Sequence, residues 1–158
     1  MDIKEDYRMD KERLIRIKWD GPYDLEQAKY LSGKEDYGMY QIYGRHVIFG
    51  KDSLLYIGKA VDQSFSKRLK DHEYWLRDVS GIEIYVGRIY DEDYEDDNDW
   101  GSLVPQCESL LIYWHSPSYN SQHINTHTAN NIRIHNHGEL ASLLHEISTA
   151  YEKKMPKQ

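Results

Sequence analysis

Two short strings, Tyr37-Gly38-Met39-Tyr40 and Leu55-Tyr56-Ile57-Gly58-Lys59, each place a phenol beside a glycine at the end of a strand-like run, and Tyr56 follows Tyr40 by sixteen residues. Downstream, in order, come Arg68, His72, Glu108 and Asn120. A guanidinium such as that of Arg68 grips two phosphate oxygens at once. A single carboxylate such as Glu108, completed by waters, makes the kind of site that Mg²⁺ accepts, because this ion dehydrates reluctantly. Attack of water on a phosphodiester needs an activated water, positive charge opposite a phosphorane-like transition state, and help for the leaving oxygen. This set can supply all three, with Glu108 the expected ligand of one divalent ion, Mg²⁺ or Mn²⁺.

The elements that must position these groups follow from periodicity. Residues 14–19 alternate Ile15, Ile17 and Trp19 against Arg16 and Lys18, which predicts a strand, and Asp20-Gly21-Pro22 predicts a turn. Residues 25–31 read as a short helix. Residues 37–43 read as a strand that 47–49 can continue, 50–53 as a turn, and 54–57 as a second strand. Residues 60–78 read as one helix, capped by Asp62, with Phe65, Leu69, His72 and Leu76 at three- and four-residue steps. That helix puts Arg68 and His72 on one face. Residues 82–89 alternate as a strand. A second helix begins near Ser102 and Pro105, carries Glu108 close to its start, and stops at Pro117. Residues 118–136, rich in Asn, Ser, Thr and His, read as irregular, and 138–154 as an amphipathic helix through Leu140, Leu143, Leu144, Ile147 and Tyr151. The sum is an α+β domain: a small central antiparallel or mixed sheet flanked by helices.

The ordered set resembles the GIY-YIG nuclease superfamily, and is similar in its spacing to the GIY-YIG restriction endonucleases, with Met39 where the name has isoleucine. The resemblance spans residues 37–120 and implies a catalytic core there, with residues 1–36 and 121–158 as extensions of one domain. It implies a metal-dependent endonuclease that hydrolyses DNA to 5′-phosphate and 3′-hydroxyl ends, of restriction, defence or mobile-element type. By the same resemblance Tyr40 takes a proton from the attacking water, Tyr56 orients water or phosphate, His72 assists proton transfer and Asn120 holds the site's hydrogen bonds together. A phenol ordinarily titrates near about 10, so Tyr40 needs Lys59, Arg68 or the metal to lower it. Gly38 and Gly58 let backbone and substrate approach, and Lys59 and Lys67 can contact phosphate. Other readings stay open. Arg68 and Glu108 could pair with each other, His72 fits a hydrogen-bonded core position, and Asn120 fits a turn cap. The scaffold could equally serve as a non-catalytic DNA- or protein-binding module, or as the nuclease component of a repair complex. One site cuts one strand, so double-strand cleavage would imply a homodimer or two encounters.

Composition narrows the setting. A length of 158 residues fits one domain, and 39% apolar with 30% charged residues is ordinary for a globular chain. The net charge of −7 argues at first against a nucleic-acid partner, but residues 91–99 hold seven acids and no Lys or Arg, so the remainder is formally neutral. Arg45, Lys51, Lys59, Lys67, Arg68 and Lys70 surround the proposed site, and local field governs phosphate attraction. The acidic run reads as a solvated loop, with a weak metal site, exclusion of non-specific DNA or a basic partner as its functional options. Cys107 is the only cysteine, which excludes an intramolecular disulfide and suits a reducing compartment. With neither a signal-peptide pattern nor an apolar run of membrane-spanning length, a cytoplasmic protein without membrane contact is expected.

Overall fold

The computed structural model describes residues 12–151 and has α+β architecture. Six strands form one mixed sheet in the order β3-β2-β4-β1-β5-β6. They are β1 (Arg13–Tyr23), β2 (Gly38–His46), β3 (Gly50–Ala60), β4 (Glu83–Ile89), β5 (Ile132–Gly138) and β6 (Glu146–Ser148). The helices are α1 (Leu25–Ala28), α2 (Phe65–Lys70), α3 (Glu73–Leu76) and α4 (Asp97–His115). All pairings are antiparallel except β1 with β5. None of the described helices is long and apolar enough to cross a membrane.

The alternating strands bury both faces of this sheet. On one side Ile15, Ile17, Trp19, Met39, Ile57 and Ile134 pack against Leu103, Val104, Cys107, Leu110 and Leu111 of α4. On the other, Tyr40, Ile42, Ile84 and Val86 pack against Ala28, Phe65, Leu69 and Leu76 of the three short helices. Neighbours Met39 and Tyr40 therefore face opposite layers, as the two-residue period of a strand requires. Burying the core polar groups is compensated. Trp19 Nε1 donates to Asn136 Oδ1 at 2.9 Å, and Asn136 Nδ2 donates to the Leu144 carbonyl at 2.8 Å.

Several expectations need correction. Within residues 12–36, β1 lies between β4 and β5 in mid-sheet. Asp20-Gly21-Pro22 does not end β1, which runs on to Tyr23 through a register shift between Asp20 and Tyr23. The segment 47–49 is the exposed tip of the β2–β3 hairpin, and 50–53 belongs to β3. Residues 60–78 are not one helix. Ala60 still pairs with Gly38 in the ladder, Ser64 rather than Asp62 caps α2, and the helix breaks after Lys70. There the N–H groups of Asp71 and His72 bond three residues back, to Arg68 and Leu69, which tightens the turn and redirects the chain into α3.

The region after α4 is also more regular than its composition implied. Ile132 and Ile134 are buried and alternate with Arg133 and His135, making β5 beside β1. No helix occupies residues 138–151: Leu143 and Ile147 are buried while Leu144 and Tyr151 are about half exposed, and Ile147 pairs with Ile134 in β6. The rest of the expected helix, 152–154, lies outside the described residues. Helix α4 starts earlier than expected, at Asp97, with Asp96 accepting from the Asp99 N–H at 2.8 Å. Pro105 therefore stands in its interior.

The acidic run is not a free loop. Asp93 accepts from the Arg16 backbone N–H at 2.8 Å and pairs with the Arg16 guanidinium at 2.9 Å, while Asp99 pairs with Arg13 at 2.5 Å. The guanidinium of Arg13 holds the Asp99 carboxyl down at about 2, below its ordinary value. A depressed carboxyl contributes stability above its unfolded titration and loses it as pH falls through the folded value. Thermal unfolding from pH 4 to pH 2 should therefore show a fall in Tm that is smaller in Asp99→Asn than in the parent.

Candidate active site

The site is built around the β2–β3 ladder. Tyr40 pairs across with Gly58, and Tyr56 with Ile42, so both phenols stand on the face covered by α2 and α3. Gly58 is required there. A Cβ at this position would lie 2.4 Å from the Tyr40 hydroxyl and 2.8 Å from the Tyr56 ring. Tyr40 crosses the space that the missing side chain leaves, and its ring lies 6.1 Å from that of Tyr56. Gly38, with φ of +145°, serves the β2–β4 contact, since a Cβ there would lie 2.1 Å from the Gly87 carbonyl oxygen. Both glycines are buried.

Tyr40 is fully buried, and a buried hydroxyl needs a partner. It finds His72 Nε2 at 2.7 Å, and on the other side of that ring Trp75 Nε1 donates to His72 Nδ1 at 3.1 Å. The indole has only a proton to give, so Nδ1 must be the bare nitrogen and Nε2 must carry the hydrogen. His72 thus donates to the Tyr40 oxygen. Burial, then the charge of Arg68, holds the imidazole down to about 4, so it is neutral at physiological pH. His72 lies at the break between α2 and α3, not on a continuous helix face with Arg68.

The expected lowering of the Tyr40 pKa is not what the protein alone produces. Burial pushes this phenol far up, and neighbouring Tyr56 and Glu108 add to the rise while Arg68 opposes it. Tyr56, half-buried, is pushed up by burial and then by Glu108. Both are neutral phenols in this state. Arg68 pairs with Asp71 at 2.8 Å and not with Glu108. Lys67 is exposed on α2.

Glu108 approaches from the opposite layer. It is only 7% exposed in the middle of α4, and Lys59 Nζ pairs with its carboxylate at 3.1 Å. Lys59 pairs across the ladder with Met39, which fixes it on the α4 face. Burial raises the Glu108 pKa, while Lys59 and, more weakly, His123 and Arg68 lower it. The two layers meet around β3 because this is the edge strand. The charges of Arg68 and Glu108 both reach the two phenols, so the four groups share one electrostatic environment.

Asn120 does not point a functional group at this environment. Its Nδ2 donates to the Ile57 carbonyl at 2.9 Å and its Oδ1 accepts from the Ile57 N–H at 3.0 Å. Tyr119 N–H bonds the Leu55 carbonyl at 2.7 Å. Ser118 to Asn120 thus stand in for a further strand along the free edge of β3, and Asn120 is a positioning residue. Trp75 and Asp71 are the neighbours that sequence reasoning missed. The signal for Trp75 was its place three residues after a histidine within a helical stretch.

Among the described residues there is no cluster of three or more His, Cys, Asp or Glu able to cage a metal. A single buried carboxylate, already balanced by one cation, is the donor present, and it suits an ion that keeps most of its waters. A cleft of about 910 Å³ lined by Tyr37, Asp62, Arg88 and Trp100, among others, contains none of the site groups. Compared with known proteins, the chain matches no family model, no curated protein and no solved structure.

Gly58→Ala should cost roughly 1–3 kcal/mol in urea unfolding by forcing Tyr40 aside, and the penalty should shrink in a Tyr40→Ala background. His72 makes a second prediction. Its folded pKa lies below the ordinary value, so the stability it contributes is present above about 6.5 and is lost as pH falls toward 4. Imidazole ¹⁵N chemical shifts should report a bare Nδ1, a protonated Nε2 and no titration above pH 5. A protonated Nδ1 would refute the arrangement.

Proposed function

We propose that the protein is a metal-dependent endonuclease that hydrolyses DNA phosphodiesters, working as the GIY-YIG nucleases it resembles do. The observation that carries this reading is the Tyr40–His72 hydrogen bond of 2.7 Å, backed by Trp75, at a point where the fields of Arg68 and Glu108 overlap. Groups from β2, β3, α2, the α2–α3 turn and α4 share one electrostatic environment beside the edge strand, which supports this reading.

Each group then has a task. Arg68, released from its surface pair with Asp71, grips the phosphate and favours ionisation of the phenols. His72 donates Nε2–H to Tyr40, so it stabilises the phenolate rather than taking up a proton itself. Tyr40, once its phenolic proton has passed to solvent, accepts the proton of the attacking water as the water oxygen bonds to phosphorus. The P–O3′ bond breaks, and the departing oxygen takes a proton from solvent to become the 3′-hydroxyl beside a 5′-phosphate end. Tyr56, the more exposed phenol, orients the water or a phosphate oxygen. Glu108 would hold a divalent cation in competition with Lys59, and that cation supplies a Lewis acid that neutralises charge developing on the phosphate. Lys59, displaced, remains within reach of the substrate.

The test is nicking of supercoiled plasmid and of branched oligonucleotides. Cleavage should require Mg²⁺ or Mn²⁺, stop with EDTA, and fall roughly 10²–10⁴-fold in Glu108→Gln and Tyr40→Phe. DNA retention without cutting, indifferent to EDTA and to both substitutions, would replace the enzyme with a binding module.

A further inference from the structure

The β2–β3 hairpin ends in three consecutive apolar side chains that are largely exposed. Val47 is 97% exposed, Ile48 82% and Phe49 70%. Such a run in an exposed turn works against solubility and calls for a partner. The tip is nonetheless ordered. The N–H groups of Ile48 and Phe49 both donate to His46 Nδ1, at 3.1 and 3.2 Å, and the Phe49 ring stacks on His46 at 4.7 Å. The Arg45 N–H ties the hairpin to the Ser80 carbonyl at 3.0 Å. Exposed Arg45 and Lys51 flank the tip, one on each strand, and neither forms an ion pair with a described residue. Clefts of about 400 and 270 Å³ share Arg45 as a lining residue, with Asp78 bordering the first and Asp52 the second.

The tip is also connected to the phenols by rings. His46 lies 5.9 Å from Tyr119, Tyr119 lies 5.3 Å from Trp75, and Trp75 lies 6.3 Å from Tyr56 and 5.6 Å from His72. Tyr119 is 43% exposed, so part of this series is open to solvent.

We infer that the hairpin tip is a wedge for duplex DNA, with Ile48 and Phe49 entering a base step while Arg45 and Lys51 hold the flanking phosphates. The inference rests on the nuclease reading for its ligand. Apolar side chains on a fixed support, rimmed by cations, are the chemistry that unstacks and kinks a duplex, and aromatic faces accept any base. The strand sets the distance. Tyr56 lies six residue steps along β3 from Gly50, about 20 Å at roughly 3.3 Å per step. That equals about six base steps of 3.4 Å, so the wedge enters about six nucleotides from the bond that is cut.

The experiment uses the full chain and 40-base-pair duplexes drawn from a plasmid region that the protein nicks or, if it does not nick, retains in gel shift. Single 2-aminopurines are scanned along each duplex, in EDTA. The expected result is a fluorescence rise confined to one step, five to seven nucleotides from the cut where one is made. The rise should vanish in Ile48→Ser/Phe49→Ser, with affinity weakened about tenfold or more. A parent that cuts DNA with flat fluorescence at every position, and a double variant that binds equally well, would overturn the wedge and leave the nuclease reading standing. Absence of any DNA binding by the parent would overturn both. A double variant that loses self-association in light scattering while keeping its DNA affinity would overturn the wedge in favour of a contact between copies.

Discussion

Burying the hydroxyl of Tyr40 commits much of the surrounding structure. A phenol with no access to water must find a hydrogen-bond partner inside the protein, and the partner here is one nitrogen of His72. That imidazole is buried too, so its second nitrogen must be satisfied in turn, by the indole of Trp75. Bringing both rings to bear on a strand of the sheet requires the chain to turn between α2 and α3. The helix break at Asp71 and His72 is thus part of the same arrangement as the glycine beneath the phenol.

The second organising fact is that this arrangement sits on an edge strand. A central strand would separate the two helical layers completely; at β3 they can meet. The phenols, His72 and Arg68 belong to one layer, Glu108 and Lys59 to the other, and the residue between the phenols is a glycine. An open edge normally invites pairing with another chain. Residues 118–120 occupy part of it, with Asn120 bonding both backbone groups of Ile57, so the edge is closed beside the site without a seventh strand.

How much of this could be read beforehand depended on the range of the interaction. The α+β class, the strands around Tyr40 and Tyr56, and β4 were legible because their apolar period is local. The helix across residues 60–78 was misjudged because Phe65, Leu69, His72 and Leu76 keep their spacing even though the break intervenes. The pull of Tyr40 on His72 acts across 32 residues and leaves no local trace. The strand β5 was hidden by its polar composition: His135 and His137 occupy its less buried face, and Asn136 is buried only because Trp19 reaches it from 117 residues away. The expected helix after Gly138 had the right period, but Ile147 is claimed by Ile134 of β5. The solvated acidic loop failed for a similar reason, since its partners Arg13 and Arg16 lie on a strand some eighty residues earlier.

The position of β1 has a further consequence for how the molecule is made. β1, the first of the described strands, is flanked in the finished sheet by β4 and by β5, and its parallel neighbour begins only at Ile132. Ile15, Ile17 and Trp19 therefore wait, without one of their two neighbours, until residues 132–138 have been made. Because a loop of that length must close before the parallel pairing forms, the β1–β5 side of the sheet closes late, and β1 keeps one open apolar edge until then.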